Sequence, residues 1–215
     1  MPNWVFNKVH LTGDNTSLNK LKKFMTTKET CFDFNKILPM PEELNLESGS
    51  SETLSIECAH ARKKHKTTCE EYERCTWSKS KTFDEWADLG EKYLSNLKKY
   101  GATTWYDWCY DNWGTKWNAC DASWDGNNFV SFNTAWSCPE AIFKQMSKMF
   151  PNISFTVEYA DEDLGSNCGT IEYSSDERSF ILNPINSFEF ACEVWGYDPE
   201  ELSEEEDEEE EYMDY

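Results

Sequence analysis

Basic side chains are scarce in this chain of 215 residues: 20 lysines and arginines stand against 41 aspartates and glutamates, a formal net charge of −21 at pH 7. A field of that sign repels nucleic-acid phosphates and draws in basic protein surfaces, so nucleic acid is an unfavoured partner. Long apolar runs are missing as well. No stretch approaches the roughly eighteen residues that a membrane span requires, and no basic region followed by an apolar signal segment opens the chain. The expectation is a soluble cytoplasmic protein with no membrane partner. Nor is there a glycine-rich phosphate loop, an HExxH pair or a nucleophile elbow. These absences argue against an enzyme and against a cofactor.

Cysteine is plentiful by contrast. Nine thiols (31, 58, 69, 75, 109, 120, 138, 168 and 192) are an odd number scattered along predicted helices and strands, which reads as reduced, mostly buried cysteine rather than a disulfide framework. Hydrophobic residues make up 39% of the chain and aromatics 15%, enough to bury a real core.

The densest aromatic stretch is Trp105 to Trp124, with five of the ten tryptophans. Trp105, Trp108, Cys109, Asn112 and Trp113 share one helical face, Thr104 stands as N-cap and Gly114 as the stop. From Thr115 to Ser123 the pattern alternates as a strand does. Asp125-Gly126-Asn127-Asn128 then turns into a second extended run, Phe129 to Trp136, which together predict a hairpin. Large aromatics at helical spacing usually face inward. As surface, Trp105, Trp108, Trp113, Lys116 and Trp117 are the residues to grip a partner.

Around this stretch, Asn3 to Thr12 reads as a strand with Trp4, Phe6, Lys8 and His10 on one face. A short helix through Leu18, Leu21 and Met25 follows, and Cys31 to Leu38 reads as a short strand. Glu42 to Ser55 is a polar loop, Ile56 to Ser80 a mixed-charge region whose helices would be surface-like, and Thr82 to Gly101 a helix with Phe83, Trp86, Ala87, Leu89, Tyr93, Leu94 and Leu97 facing inward. Pro139-Glu140 starts another helix, with Ile142, Phe143, Met146, Met149 and Phe150 as its expected buried face, and two strands follow near 153–159 and 168–173. Set aside the middle, and the order is β-α-β-β-α-β plus an added strand. The predicted class is α+β, a ferredoxin-like (split βαβ) antiparallel sheet with helices on one face and a mostly helical insertion. The predicted division is a ferredoxin-like domain over 1–41 and 104–183, the insertion over 42–103, a C-terminal helix or extension over 184–197, and a disordered acidic tail over 198–215.

The segments NWGTKWNA (Asn112 to Ala119), FNTAWSCP (Phe132 to Pro139), Phe150-Pro151 and the opening MPNWVFNKVHLTGD resemble the YubB-like, ferredoxin-fold family of uncharacterised proteins carried by bacteriophages and plasmids. The resemblance implies a ferredoxin-like domain holding a second small domain, in a mobile element of a bacterial host cell. It brings no catalytic residues with it.

Two sets of side chains invite a metal. Cys58, His60, His65 and Cys69, with Cys75 beyond, offer zinc-type donors at a spacing that matches no recognised finger, so packing thiols are the plainer reading. Asp107, Asp111, Asp121 and Asp125 cluster near the tryptophans, where capping and turn roles account for two of them. No metal site is assigned. The tail carries twelve acidic side chains and no basic ones between Asp198 and Asp214. Its plain reading is a solubilising segment. Its sharper one is an arm whose Glu208, Glu209, Glu210 and Tyr212 bind a partner, the carboxylates imitating DNA phosphates. The expected function is that of a non-enzymatic accessory protein binding a host protein with a basic surface. A single-stranded nucleic-acid-binding module, using sheet aromatics and Arg62 to Lys66, is the alternative.

Overall fold

The computed structural model describes residues 3–174, 178–182 and 184–202. Two compact units emerge: one runs up to Pro39 and resumes at Trp113, and the other is Met40–Asn112. In chain order, β1 (Trp4–Thr12) and α1 (Asn15–Met25) open the first unit. The second is built from α2 (Ser50–Lys63), α3 (Glu70–Arg74), α4 (Phe83–Tyr100) and α5 (Trp105–Trp113), whose last residue already belongs to the first unit. The chain then returns through β2 (Cys120–Asp125), β3 (Phe129–Ala135), α6 (Glu140–Met149), β4 (Ser154–Asp161), β5 (Gly169–Tyr173), β6 (Arg178–Leu182) and α7 (Ser187–Trp195).

The six strands are ordered β2-β3-β1-β4-β5-β6, and every neighbouring pair is antiparallel. Placing β1 between β3 and β4 is the split βαβ arrangement. Alternation in β1 decides its faces: Val5, Asn7, Val9 and Leu11 are buried, while Trp4, Phe6 and Lys8 on the other face keep some exposure. Opposite Val5, Val9 and Leu11, the β4 partners Asp161, Val157 and Phe155 continue the buried face. Phe132 of β3 is fully buried there and stacks on Phe32 and Phe143, at centroid distances of 4.9 and 6.3 Å. Burying side chains of this size stabilises the fold by about 1.5–3 kcal/mol each. Helix α1 begins where the Asp14 carboxylate accepts from the Thr16 and Ser17 amides, and it buries Leu18, Leu21 and Met25. The C-terminal α7 packs on the other face of the sheet, where Ala191 and Val194 join Phe6, Ala160 and Trp195.

Two strand expectations are corrected. Residues Cys31 to Leu38 form no strand but a loop with a 3-10 turn at Phe34–Lys36, started by the Asp33 carboxylate, which accepts from the Asn35 amide. Phe32 and Phe34 nevertheless both enter the core, which is why their i, i+2 spacing imitates a strand. Strand β2 begins at Cys120 rather than Thr115. The Thr115 hydroxyl donates to the Ala135 carbonyl and accepts from its amide, so a side chain occupies the ladder position at the end of β3.

In the second unit, α2 begins inside the segment expected to be a polar loop, and it is not surface-like. Ser51, Leu54, Ser55, Cys58, Ala59 and Ala61 are buried, most of them too small to raise an apolar signal. Their size lets α2 and α4 approach: a Cβ added at Gly90 of α4 would lie 1.9 Å from the Ser55 carbonyl oxygen. Arg62 ties the same pair through Asp88 (2.7 Å) and Glu91 (3.0 Å). Helix α4 has the Thr82–Glu85 capping box at its start and left-handed Gly101 (φ 78°) at its end. Leu97, expected to face inward, is 48% exposed. The boundary after this unit falls at Asn112 rather than 103, because α5 groups with the helices. Cys109 of α5 is buried with its Sγ 3.7 Å from the Met40 Sδ.

Candidate functional site

The predicted partner-binding residues separate into four fates. Trp108 and Trp113 are core, at 9% and 3% exposure, and are withdrawn as contact residues. The Trp113 indole donates to the Leu38 carbonyl at 2.8 Å and meets Phe34 edge-on, two anchors within the first unit. Trp105 keeps partial exposure and packs against Tyr106 with centroids 5.7 Å apart. Glu208, Glu209, Glu210 and Tyr212 lie outside the described residues.

Lys116 and Trp117 are brought into a cluster on the first unit. The Lys116 ammonium sits 4.6 Å from the Trp117 ring centroid and 4.9 Å from that of Trp136, and Trp4 lies 5.7 Å from Trp117. All four side chains are half-buried. Both cation–ring distances are within the roughly 6 Å over which an indole face attracts a cation. Each residue arrives by a separate route. Trp4 heads β1 on the face opposite Val5, Trp136 follows the end of β3, and the irregular segment before β2 delivers Lys116 and Trp117.

Trp136 is held in an unusual backbone state. Its φ is 75°, the left-handed region that bulky residues avoid, at a cost of about 1–2 kcal/mol. Two bonds hold it there: its amide donates to the Asn3 carbonyl (2.9 Å), and its carbonyl accepts from the Asn167 amide group (3.0 Å). Asn167 also donates to Asp161 at 3.3 Å. Asp161 is a buried carboxylate that accepts further from Asn3 (3.3 Å) and from the Asp163 amide (3.0 Å). One carboxylate therefore braces both residues that clamp Trp136. Backbone strain maintained in this way is characteristic of binding and switch positions.

The sequence reading missed Trp4 and Trp136. Trp4 was legible from the alternation of β1, which placed it on the face opposite the core. Trp136 stood in the FNTAWSCP segment, but a positive φ at tryptophan leaves no trace in composition.

The other end of that β1 face carries His10, whose ring meets that of Phe129 at a tilt with centroids 4.8 Å apart and lies 3.5 Å from the Glu158 carboxylate. Between the two ends, Lys8 donates to the Glu193 carbonyl of α7, and Phe6 packs on Trp195 at 5.3 Å. Among the described residues, no group of three or more histidine, cysteine, aspartate or glutamate side chains is placed to hold a metal. Cys58 and Cys69 do converge, with sulfurs 3.5 Å apart. Burial pushes the Cys58 thiol up to about 12, with the Cys69 sulfur adding to the effect. Among the described residues, no helix is long and apolar enough to cross a membrane.

The fold and the site together define a class: an α+β, ferredoxin-like domain carrying a helical unit within it, with a tryptophan–lysine cluster on its sheet. Residues 112–215 match the family model described as the ferredoxin-like domain in Api92-like protein, a ferredoxin-like group of uncharacterised proteins. No curated protein matches the chain. Among solved structures, the chain is similar to the crystal structure of a protein api92 from Yersinia pseudotuberculosis. The identity is 12%, the TM-score 0.44, and the match covers 86% of this chain and 100% of that one.

Proposed function

We propose that this protein is a non-enzymatic binding protein for a basic partner protein, and that the Trp4, Trp117 and Trp136 indoles receive a cationic side chain of that partner. The observation carrying this reading is the placement of the Lys116 ammonium against two indole faces. The chain's own cation marks where an arginine or lysine from outside would compete, and arginine stacks on indole faces better than lysine does. The net charge of −21 supplies the long-range attraction that brings a basic surface to the site. In its finer form the protein is a YubB-like product of a phage or plasmid, and its partner is a host DNA-handling or defence protein whose basic groove takes the acidic chain as a DNA mimic.

A tagged pull-down from bacterial lysate at low and high salt tests the reading. Full-length protein is compared with Trp117→Ala, and with a chain stopped after Pro199, and the captured material is identified by mass spectrometry. The expected result is a basic protein retained at low salt, released at high salt and depleted by Trp117→Ala. Half-buried indoles on a ferredoxin-like sheet also favour a second reading, the stacking of single-stranded bases. Nuclease-sensitive capture of nucleic acid alone, unchanged by removal of the tail, would replace the first reading with this one.

A further inference from the structure

We infer that Cys58 and Cys69 form a disulfide-forming dithiol in the helical unit, a modification site whose oxidant is a hydroperoxide and whose reductant is a small thiol. The two sulfurs lie 3.5 Å apart although they are eleven positions apart in sequence. Cys58 is on the third turn of α2 and Cys69 is the residue that starts α3. Thiols this close can share a weak S–H···S contact, hold a metal or bond to each other. A structural zinc needs four donors, and no third histidine, cysteine or carboxylate joins the pair among the described residues. His60 and His65, the imidazoles nearest in sequence, are both exposed.

The pair is asymmetric, as a sensing and a resolving thiol are. Cys69 is partly exposed and meets solvent first, while Cys58 is fully buried beside Leu54, Ala61, Phe83, Trp86 and Ala87. Attack of the Cys69 thiolate on the hydroperoxide breaks the O–O bond, giving a sulfenic acid at Cys69 and, after protonation, water or an alcohol. The Cys58 sulfur then attacks the Cys69 sulfur, loses its proton and expels hydroxide, which leaves as water. Two thiols are oxidised by two electrons, and the peroxide is reduced by the same two. Exchange with a small thiol reverses the bond. Cys75, the next thiol along, is held otherwise, donating to the Glu71 carboxylate at 3.0 Å. The bond closes a loop containing Arg62, Lys63, Lys64, His65 and Lys66, the most basic part of the chain, and pins the start of α3 to α2.

The test treats the full-length reduced protein with hydrogen peroxide, blocks remaining thiols, digests with trypsin and reads the peptides by mass spectrometry. The expected product is one linked pair of peptides containing Cys58 and Cys69, lighter by two hydrogens and restored by dithiothreitol. Limited proteolysis of the undigested protein is expected to cut after Lys63, Lys64 and Lys66 about tenfold more slowly once the bond has formed. Cys69→Ser, a partly exposed position, should abolish the linked pair. Cys58→Ser should leave a dimedone-reactive sulfenic acid on Cys69. Oxidation that pairs other cysteines first, or leaves Cys58 and Cys69 both alkylatable, overturns the proposal, as does zinc retained by the native protein that protects both thiols.

Discussion

Gly90 of α4 rests against the Ser55 carbonyl of α2, closely enough that a single methyl group would come within 1.9 Å of the oxygen. Glycine to alanine in an open helix interior usually stabilises by about 1 kcal/mol. Here the obstacle is backbone, so the helices must move apart, and the sign reverses. Gly90→Ala is expected to destabilise the helical unit by about 3 kcal/mol, the upper end of overpacking costs. Thermal unfolding followed by circular dichroism checks it, and an unchanged or raised midpoint would refute the close approach.

Trp136 provides a test of strain. Replacing it by alanine removes the indole but leaves a Cβ at φ 75°, whereas glycine removes both. Trp136→Gly is therefore expected to be more stable than Trp136→Ala by about 1 kcal/mol, the reverse of the order at an ordinary position. Urea denaturation of the two variants measures the difference. Both should lose capture of the proposed partner to the same extent, since the indole is gone in each.

Phe132 is the centre of the inner face, fully buried between Phe32 and Phe143. Phe132→Ala should cost about 3–5 kcal/mol, because the flanking rings cannot close the cavity. Chemical denaturation should show the loss in the transition of the sheet unit.

Lys99 donates to the Glu43 carboxylate at 2.9 Å, and that hydrogen bond holds the Glu43 pKa down, to about 2. A carboxylate whose folded pKa is depressed contributes stability that is present above its ordinary pKa and is lost as pH falls through the folded value. The window here runs from pH 4.5 down to about 2. Both groups face water, so the contribution is small and salt-sensitive. Carbon-detected NMR titration should find Glu43 still ionised well below pH 4.5, and Lys99→Met should raise its pKa toward the ordinary value.

Elements whose signals are local were legible in the sequence. The Thr82–Glu85 capping box, Gly101 as helix stop, the alternation of β1 and the hairpin at Asp125 to Asn128 each follow from a few neighbouring residues. What escaped depended on contacts distant in sequence. Helix α2 hides its buried face behind serine and alanine because Gly90, far along the chain, allows it to sit so close. Phe32 and Phe34 mimic a strand because the core beneath them belongs to Phe132. The tryptophans of α5 and those around Lys116 are alike in composition. Only the packing separates Trp108 and Trp113, which fill cores, from Trp117, which is half displayed.

The position of β1 has a consequence for how the chain folds. Its hydrogen-bonding partners, β3 and β4, begin at Phe129 and Ser154, so β1 stays unpaired on both edges until those later segments have been made. The Trp113 indole meets the Leu38 carbonyl at the two points where the chain leaves and re-enters the sheet unit. A floppy connection between them would pay the closure entropy of a long loop. Helices that form early from near-neighbour contacts shorten that loop before the sheet assembles, so the rate at which β1 finds its partners should follow the folding of α2 and α4.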